Sequence, residues 1–483
     1  MRSTFFGLNI GISALQAQQR ALDVTSHNIA NANTEGYSRQ SVIMGTNKPI
    51  KTSEGYVGTG VNIQEIRRIR DQFVDTQIRN ENKVLGEWET KSDILSKIEL
   101  IINEPSESSL RSVIDEYWAS WQQLSKSSEN TAARGLVVQN GINLVDTFSH
   151  MDRLLSELQT DINSGIQSTV NELNSLSNQI VNLNDQIVKA ELGGVKANDL
   201  RDRRELLVEQ LSELLPLDIV EDQTGAITIT GGGATLVSGS YAGHMGFSAD
   251  VMDPTQAELQ WINSYTGNTI GSVTVNGGKL KGYLDMRDKQ IDGMKEQFSN
   301  LAERIAEEVN ALHSAGSGLN NTTGLEPGLD FFVKKDLTQP FSANNIAVNQ
   351  ELIDDSNKVA ASTASPVIEG DSSNALAIAQ LDNKLTMNPA ATGNYTATFD
   401  DFYTTIVSQL GIVTQEAERM YDNQTLLVEQ LVNRRASVSG VSLDEEMANM
   451  IKYQHSYTAA ARIINTMDEM LDLIVNRLGL MGR

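Results

Sequence analysis

The 483-residue sequence contains no cysteine, which excludes disulfides, thiolate metal sites and cysteine nucleophiles together. Proline is scarce, at 8 residues, and aromatics make up only 5% of the chain, a composition that favours helix-rich packing over a sandwich or barrel. Basic residues are the minority charge: 38 Lys and Arg against 62 Asp and Glu give a formal net charge of -24. A field of that sign repels phosphate backbones and anionic lipid, so nucleic acid is not an expected partner. No stretch approaches the roughly 20 apolar residues of a membrane span, and the opening MRSTFFGLNIGISALQAQQ has neither a continuous apolar core nor a small-residue cleavage pattern. The expectation is a chain that is soluble when made, does not insert into a membrane, and leaves the cell, if it does, without a conventional cleaved signal.

What the sequence has is helical periodicity, over a length that accommodates roughly two to four domains. Leu8, Ile12, Leu15, Gln19, Leu22, Ser26 and Ile29 fall on alternating spacings of four and three, the seam of a coiled-coil-like helix. The same alternation returns at the far end in Met450, Tyr453, Tyr457, Ala460, Ile464, Met467, Leu471, Ile474 and Leu478. Ser442 and Glu445 form an S-x-x-E capping box at the start of that helix, with Asp444 also near its positive end. The two termini are therefore expected to pair. Two short seams satisfy each other only in part, so neighbouring subunits are expected to cover the rest.

Between the termini, Leu110, Val113, Ile114, Tyr117, Trp121 and Leu124 mark an amphipathic helix, and a long pattern runs from about Thr131 to Ala190. Gly135, Gly141 and Gly165 are the expected breaks in it. A matching element runs from Phe399 to Leu431. Pro216 closes the helix LRDRRELLVEQLSELL, after which Ile227 and Ile229 alternate with Thr228 and Thr230, and SVTVNGGKLKGYL reads as a hairpin turning at Asn276 and Gly277. The fold expected is mainly α, an elongated helical bundle built from both halves of the chain, with a β-rich insertion. The expected division is 1–60 with 438–483 as terminal helices and turn, 61–215 with 285–437 as bundle, and 216–284 as the insertion; 313–398 reads as loosely structured or a small outer subdomain.

Catalytic patterns are lacking. His27, His150, His244, His313 and His455 are scattered without metal-ligand spacing. GYVGTG and TGGGAT are not phosphate loops and read as turns. Asp444, Glu445 and Glu446 have an electrostatic reason to sit at a helix start, and Arg67, Arg68, Arg70 and RDRRE read as solvated, salt-bridged helix faces. No cofactor, metal or enzymatic activity is expected.

The stretch HNIANANTEGYSRQ, residues 27–40, interrupts the first helix with turn-forming Asn and Gly. Together with SGVSLDEEMANMIKYQHSYTAAARIINTMDEMLDLIVNRL it resembles the flagellar axial proteins of bacteria, the rod, hook and hook-associated proteins. SRQ after the Gly-Tyr pair, KANDLRDRRELLVEQLSELLPLDIVEDQTGAITITGGGATLVSG, GGKLKGYLDMRDKQI and LDFF narrow the resemblance to the hook-associated members. Glu35 stands where the family commonly has proline.

The resemblance implies a non-enzymatic structural adaptor between hook and filament, assembling as a ring of its own subunits. It implies as partners the hook protein, a third hook-associated protein and an export chaperone on Met450 to Leu478, with export unfolded through the flagellar type III apparatus and terminal helices that order on assembly. The implied subunit-interface residues are Leu8, Ile12, Leu15, Leu22, Ile29, Met450, Tyr453, Tyr457, Ile464, Met467, Leu471, Ile474 and Leu478. The implied turn motif is Asn28, Asn31, Asn33, Thr34, Gly36, Tyr37, Ser38, Arg39 and Gln40, and Ser442 with Glu445 caps the last helix. The alternatives are a hook or rod protein, a secreted enzyme carried on such termini, and a coiled-coil scaffold.

Overall fold

The computed structural model describes residues 6–53, 55–102, 109–248, 257–263, 266–324, 328–388 and 395–473. Its helices are α1 (Phe6–Ala30), α2 (Gln72–Ile102), α3 (Leu110–Lys126), α4 (Thr131–Glu191), α5 (Asn198–Leu214), α6 (Gly278–Asp285), α7 (Asp292–His313), α8 (Gln350–Asp354), α9 (Ser373–Ala379), α10 (Phe399–Ser439) and α11 (Leu443–Asp472). The strands are β1 (Gln40–Thr46), β2 (Ile50–Thr52), β3 (Gly55–Val57), β4 (Val61–Arg68), β5 (Asp218–Glu221), β6 (Ile227–Gly231), β7 (Ala234–Ser238), β8 (Tyr241–Ala242), β9 (His244–Ser248), β10 (Glu258–Ile262), β11 (Thr269–Ser272), β12 (Phe332–Val333) and β13 (Ala347–Val348). The fold is mainly α with small sheets, and the first and last helices pack on each other as their seams suggest.

The spine is α4, 61 residues without interruption, or about 90 Å at ~1.5 Å per residue. The breaks expected at its glycines do not occur, because two of those glycines make room for rings. A Cβ on Gly141 would lie 2.7 Å from the Phe331 ring, and one on Gly165 3.0 Å from Tyr283. The helix accepts the intrinsic cost of glycine and gains close packing. Around α4, one continuous apolar core takes in α2, α3, α5, α7 and α10. The few aromatics are concentrated in it: Trp118 stacks on Phe399 with centroids 5.7 Å apart, and Tyr117 and Trp121 meet Phe331 at 5.9 and 5.6 Å.

Strands β5 to β8 form one antiparallel sheet in chain order, and β9, β10 and β11 another with β10 in the middle. Both dock on α4 through asparagines that act like strand neighbours. Asn174 donates to the Met245 carbonyl at 2.8 Å and accepts from the Met245 amide at 2.9 Å. Asn184 does the same to Ile227, at 2.9 and 3.1 Å. The hairpin expected at Asn276 and Gly277 is absent: that stretch enters α6, where Gly278, at φ +80°, passes so close to the end of α5 that a Cβ would fall 2.4 Å from the Leu214 carbonyl oxygen. Residues in 313–398, expected to be loose or a small outer subdomain, contribute fully buried Phe331, Phe332, Ile346, Leu352 and Ile378 to the main core.

Candidate assembly interface and its anchoring joint

Small side chains bring α1 and α11 together. The residues buried on α1 are Gly11, Ala17, Ala21, Val24, Thr25 and Asn28, one step round the helix from the seam read in the sequence. Leu8, Leu15, Leu22 and Ile29 are only half-buried and Ile12 is 39% exposed. Close approach selects glycine here: a Cβ on Gly7 would meet Met467 at 2.7 Å and one on Gly11 would meet Ile464 at 2.9 Å. On α11, Met450, Tyr453, Tyr457, Ile464, Met467 and Leu471 are half-buried and share the 3,4 stripe with buried Ala460. Ile474 and Leu478 lie outside the described residues. Other apolar residues of α11 stay about half exposed: Met447 and Ile451 at 50 and 55%, and Ile463, which borders the contact with Gly11 of α1, at 49%.

Below this pair the chain turns through Asn31–Gly36. Asn31 donates to the His27 carbonyl at 3.0 Å, and Thr34 donates to Asn31 at 3.2 Å. Asn33 faces solvent. Gly36 has φ +75°, a left-handed conformation that a side chain disfavours, and it faces Leu206 of α5.

Asn28 is the centre of the turn, 1% exposed and fully bonded. Its amide donates to the Gln40 carbonyl at 2.9 Å and to Glu446 at 3.1 Å, while its oxygen accepts from the Gln40 amide at 3.0 Å and the Tyr37 hydroxyl at 2.7 Å. Burial, with Asp199, Asp202 and Glu446 nearby, pushes the Tyr37 hydroxyl well above its ordinary value and keeps it a donor. Arg39 reaches Glu446 through Nε at 2.8 Å and Glu445 through a terminal nitrogen at 2.8 Å, and its backbone amide donates to the Ser439 carbonyl at 2.9 Å. Ser442 does cap α11, accepting from the Glu445 amide. The Glu445 carboxylate pairs with Arg39 and leaves the reciprocal half of the expected capping box unmade. Glu446, which the sequence marks only as one of three carboxylates at a helix start, is the buried member of the pair at 2% exposed.

The other side of the turn rests on α5. Asp202, 4% exposed, accepts from the Ser38 amide and hydroxyl, both at 2.9 Å, from Arg68 at 2.7 Å and from Arg70 at 3.4 Å. Gln40 donates to Asp199 at 2.7 Å and accepts from Asn198 at 3.2 Å. Arg70 continues to Asp75 of α2 at 2.6 Å and to Glu209 of α5 at 3.3 Å, and Arg435 of α10 also binds Glu209. Burial works against the Arg70 charge, but the Asp75 hydrogen bond and the carboxylates around it hold that guanidinium above its ordinary range.

The arginine clusters are salt-bridged as expected but only partly solvated and not both helical: Arg67 and Arg203 are exposed, Arg67 and Arg68 end β4, Arg70 lies in the link to α2 and pairs with Asp75, and Arg204 of the RDRRE stretch is fully buried against Asn184 and the Gly225 carbonyl. At the α4–α5 corner, the Arg201 hydrogen bond, outweighing burial, holds Glu191 at about 2. A cleft of about 690 Å³ opens beside this network, lined by Glu65, Arg67, Arg79, Glu205 and Glu221. It holds charges of both signs but no nucleophile with a base and orienting group. Among the described residues no group of three or more metal-binding side chains occurs, and no helix is long and apolar enough to cross a membrane.

These terminal elements have relatives. Residues 8–37 match the flagella basal body rod protein family and residues 434–478 the flagellar basal body rod FlgEFG protein C-terminal family, while residues 95–332 match the flagellar hook-associated protein FlgK helical domain. Flagellar hook-associated protein 1 of Bacillus subtilis (strain 168) is 33% identical, with both chains covered over 100% of their length. The chain belongs to the flagellar hook-associated protein 1 family. The members of this family from Salmonella typhimurium (strain LT2) and Escherichia coli (strain K12) are 28% and 26% identical, each match covering 97% of this chain and 99% of the relative. The same fold is found in the flagellar hook junction protein FlgK from Burkholderia pseudomallei, with a TM-score of 0.65 at 17% identity, covering 75% of this chain and all of that one.

Proposed function

We propose that this chain is a structural adaptor that joins hook to filament in the bacterial flagellum, has no enzymatic role, and assembles as a ring through its terminal helices. The observation that carries the reading is the α1–α11 pair of a hook-associated protein 1 family member, which leaves large apolar side chains exposed: Ile12, Met447 and Ile451. Exposed apolar surface of this kind is characteristic of association sites, and the occupant we assign is the next copy of the same chain, with the hook protein below and a third hook-associated protein above. Residues 1–60 and 438–483 form the inner part of the assembly, 61–215 and 285–437 the body, and 216–284 the outward-facing insertion. Before assembly, an export chaperone holds the C-terminal seam from Met450 to Leu478, and the chain is exported unfolded through the flagellar type III apparatus.

The test is immunogold labelling of intact flagella with antibody against residues 216–284. A single narrow band where hook meets filament is the expected result. Label along the whole hook would make the chain a hook protein, and flagella without label would overturn the reading.

A further inference from the structure

The terminal pair meets the body through a polar joint, and one residue lies at its centre. Asp202 collects four donors from three different segments: the Ser38 amide and hydroxyl of the turn, Arg68 at the end of β4, and Arg70 in the link to α2. Its own helix, α5, is held to the body on its other sides, by Arg201 to Glu191 and Glu221, and by Arg204 to Asn184 and the Gly225 carbonyl. A second carboxylate on α5, Glu209, takes Arg70 and Arg435, which brings in α2 and α10. Thus α5 lies between the turn that follows α1 and the body, with Asp202 bonded to the turn and Arg204 to the body.

We infer that Asp202 is a positioning residue that fixes the angle between the α1–α11 pair and the helical body. Each of its bonds is directional and charge-assisted, and such bonds hold a geometry more narrowly than apolar contact does. Ser38 is the contact that transmits this fix, because it is 3% exposed and both its amide and its hydroxyl are engaged by the one carboxylate. The inference depends on the proposed function only for its consequence, that subunits whose angle is not fixed fail to close a regular ring.

The experiment uses the full chain and exploits its lack of cysteine. Spin labels at Gln19→Cys on α1 and Ser175→Cys on α4, both exposed positions, report the angle by pulsed dipolar spectroscopy; labels at Ser175→Cys and Gln409→Cys report the body alone. The parent chain is expected to give one narrow distance distribution for each pair. Asp202→Asn keeps the size of the side chain and removes its charge, and should abolish the narrow α1–α4 peak while leaving the body pair unchanged. Ser38→Ala, which leaves the arginines paired with Asp202, should broaden the α1–α4 peak without altering the body pair. A parent distribution that is already broad, an α1–α4 peak as narrow in Asp202→Asn as in the parent, or a body pair that broadens with it would overturn the inference. None of these outcomes bears on where the protein sits in the flagellum, which the labelling experiment decides separately.

Discussion

Replacing Asn28 by alanine tests how the turn is held. The substitution removes two donated and two accepted bonds from a site that is 1% exposed, leaving the Gln40 amide and carbonyl, the Tyr37 hydroxyl and the Glu446 carboxylate without their partner. A net worth of about 1 kcal/mol per neutral bond, and somewhat more for the one to Glu446, gives a loss of roughly 4–5 kcal/mol for local opening of the turn. Glu446 retains Arg39 at 2.8 Å, which keeps the cost from rising further. The assay is native-state hydrogen exchange at the Gln40 amide, since opening here need not unfold the body. A loss of this size accelerates exchange by about 10³-fold. Asn28→Asp should be at least as damaging at neutral pH, because its new oxygen would face the Gln40 carbonyl and the Glu446 carboxylate. Gln40 exchange unchanged in Asn28→Ala would refute the account of the turn.

Three further outcomes follow from particular contacts. Gly11→Ala should weaken the α1–α11 pair, because its Cβ meets the branched Ile464 at 2.9 Å, whereas Gly7→Ala should be neutral or stabilising, since Met467 can swing its terminal methyl away and alanine favours helix by roughly 0.5–1 kcal/mol; exchange rates of α11 amides distinguish the two. His313 is buried, donates Nδ1–H to the Leu329 carbonyl at 2.6 Å and accepts from the Ala360 amide at Nε2, so burial lowers its pKa to about 4. The unfolded chain therefore binds a proton that the folded chain does not; this contribution is complete above pH 6.5 and drains away by about pH 4, amounting to about 3 kcal/mol, and denaturant midpoints of His313→Gln should lack that slope. Asn174→Ala should remove protection at the Met245 amide, by roughly 2–3 kcal/mol for two buried bonds, while the α4 core amides keep theirs.

Helices were legible because a 3.6-residue apolar period survives any tertiary context that buries one face. The α11 stripe shows this directly, since Ile464 and Met467 of its 3,4 repeat are turned to Gly11 and Gly7 of α1. On α1 the same rule picked the wrong face by one step. Leucine and isoleucine stand out in a hydrophobicity pattern, yet the contact with α11 is made where Gly7 and Gly11 allow the helices to approach, on the face where Ala17 and Ala21 are buried. The glycines of α4 misled for the same reason: glycine in a helix reads as a weak point, and whether it is one depends on the ring that fills the vacancy, which the chain supplies from Phe331 and Tyr283 far along the sequence. The packing of Phe331, Phe332, Ile346, Leu352 and Ile378 was hidden because they fall in short apolar runs with no sustained period, and only the helices they pack on give them a place in the core.

The joint was the least legible part, and the physics of charge explains why. Arg70 and Asp202 are 132 residues apart, and Arg39 and Glu446 are 407 apart, so no local pattern distinguishes an arginine that will be buried with two carboxylates from one that stays in water. Only the turn motif, in which Asn, Tyr, Ser, Arg and Gln cluster within 13 residues, hinted that polar side chains would be used structurally. A joint of this composition has a specific consequence. Removing one member strands its partners in low-dielectric surroundings, which costs more than the intact pair contributes over an apolar replacement. Small apolar substitutions in α1 should therefore shift stability by degrees, while loss of Asp202 should release the whole terminal pair from its orientation and loss of Glu446 should free α11 from the turn, each with little loss of helix.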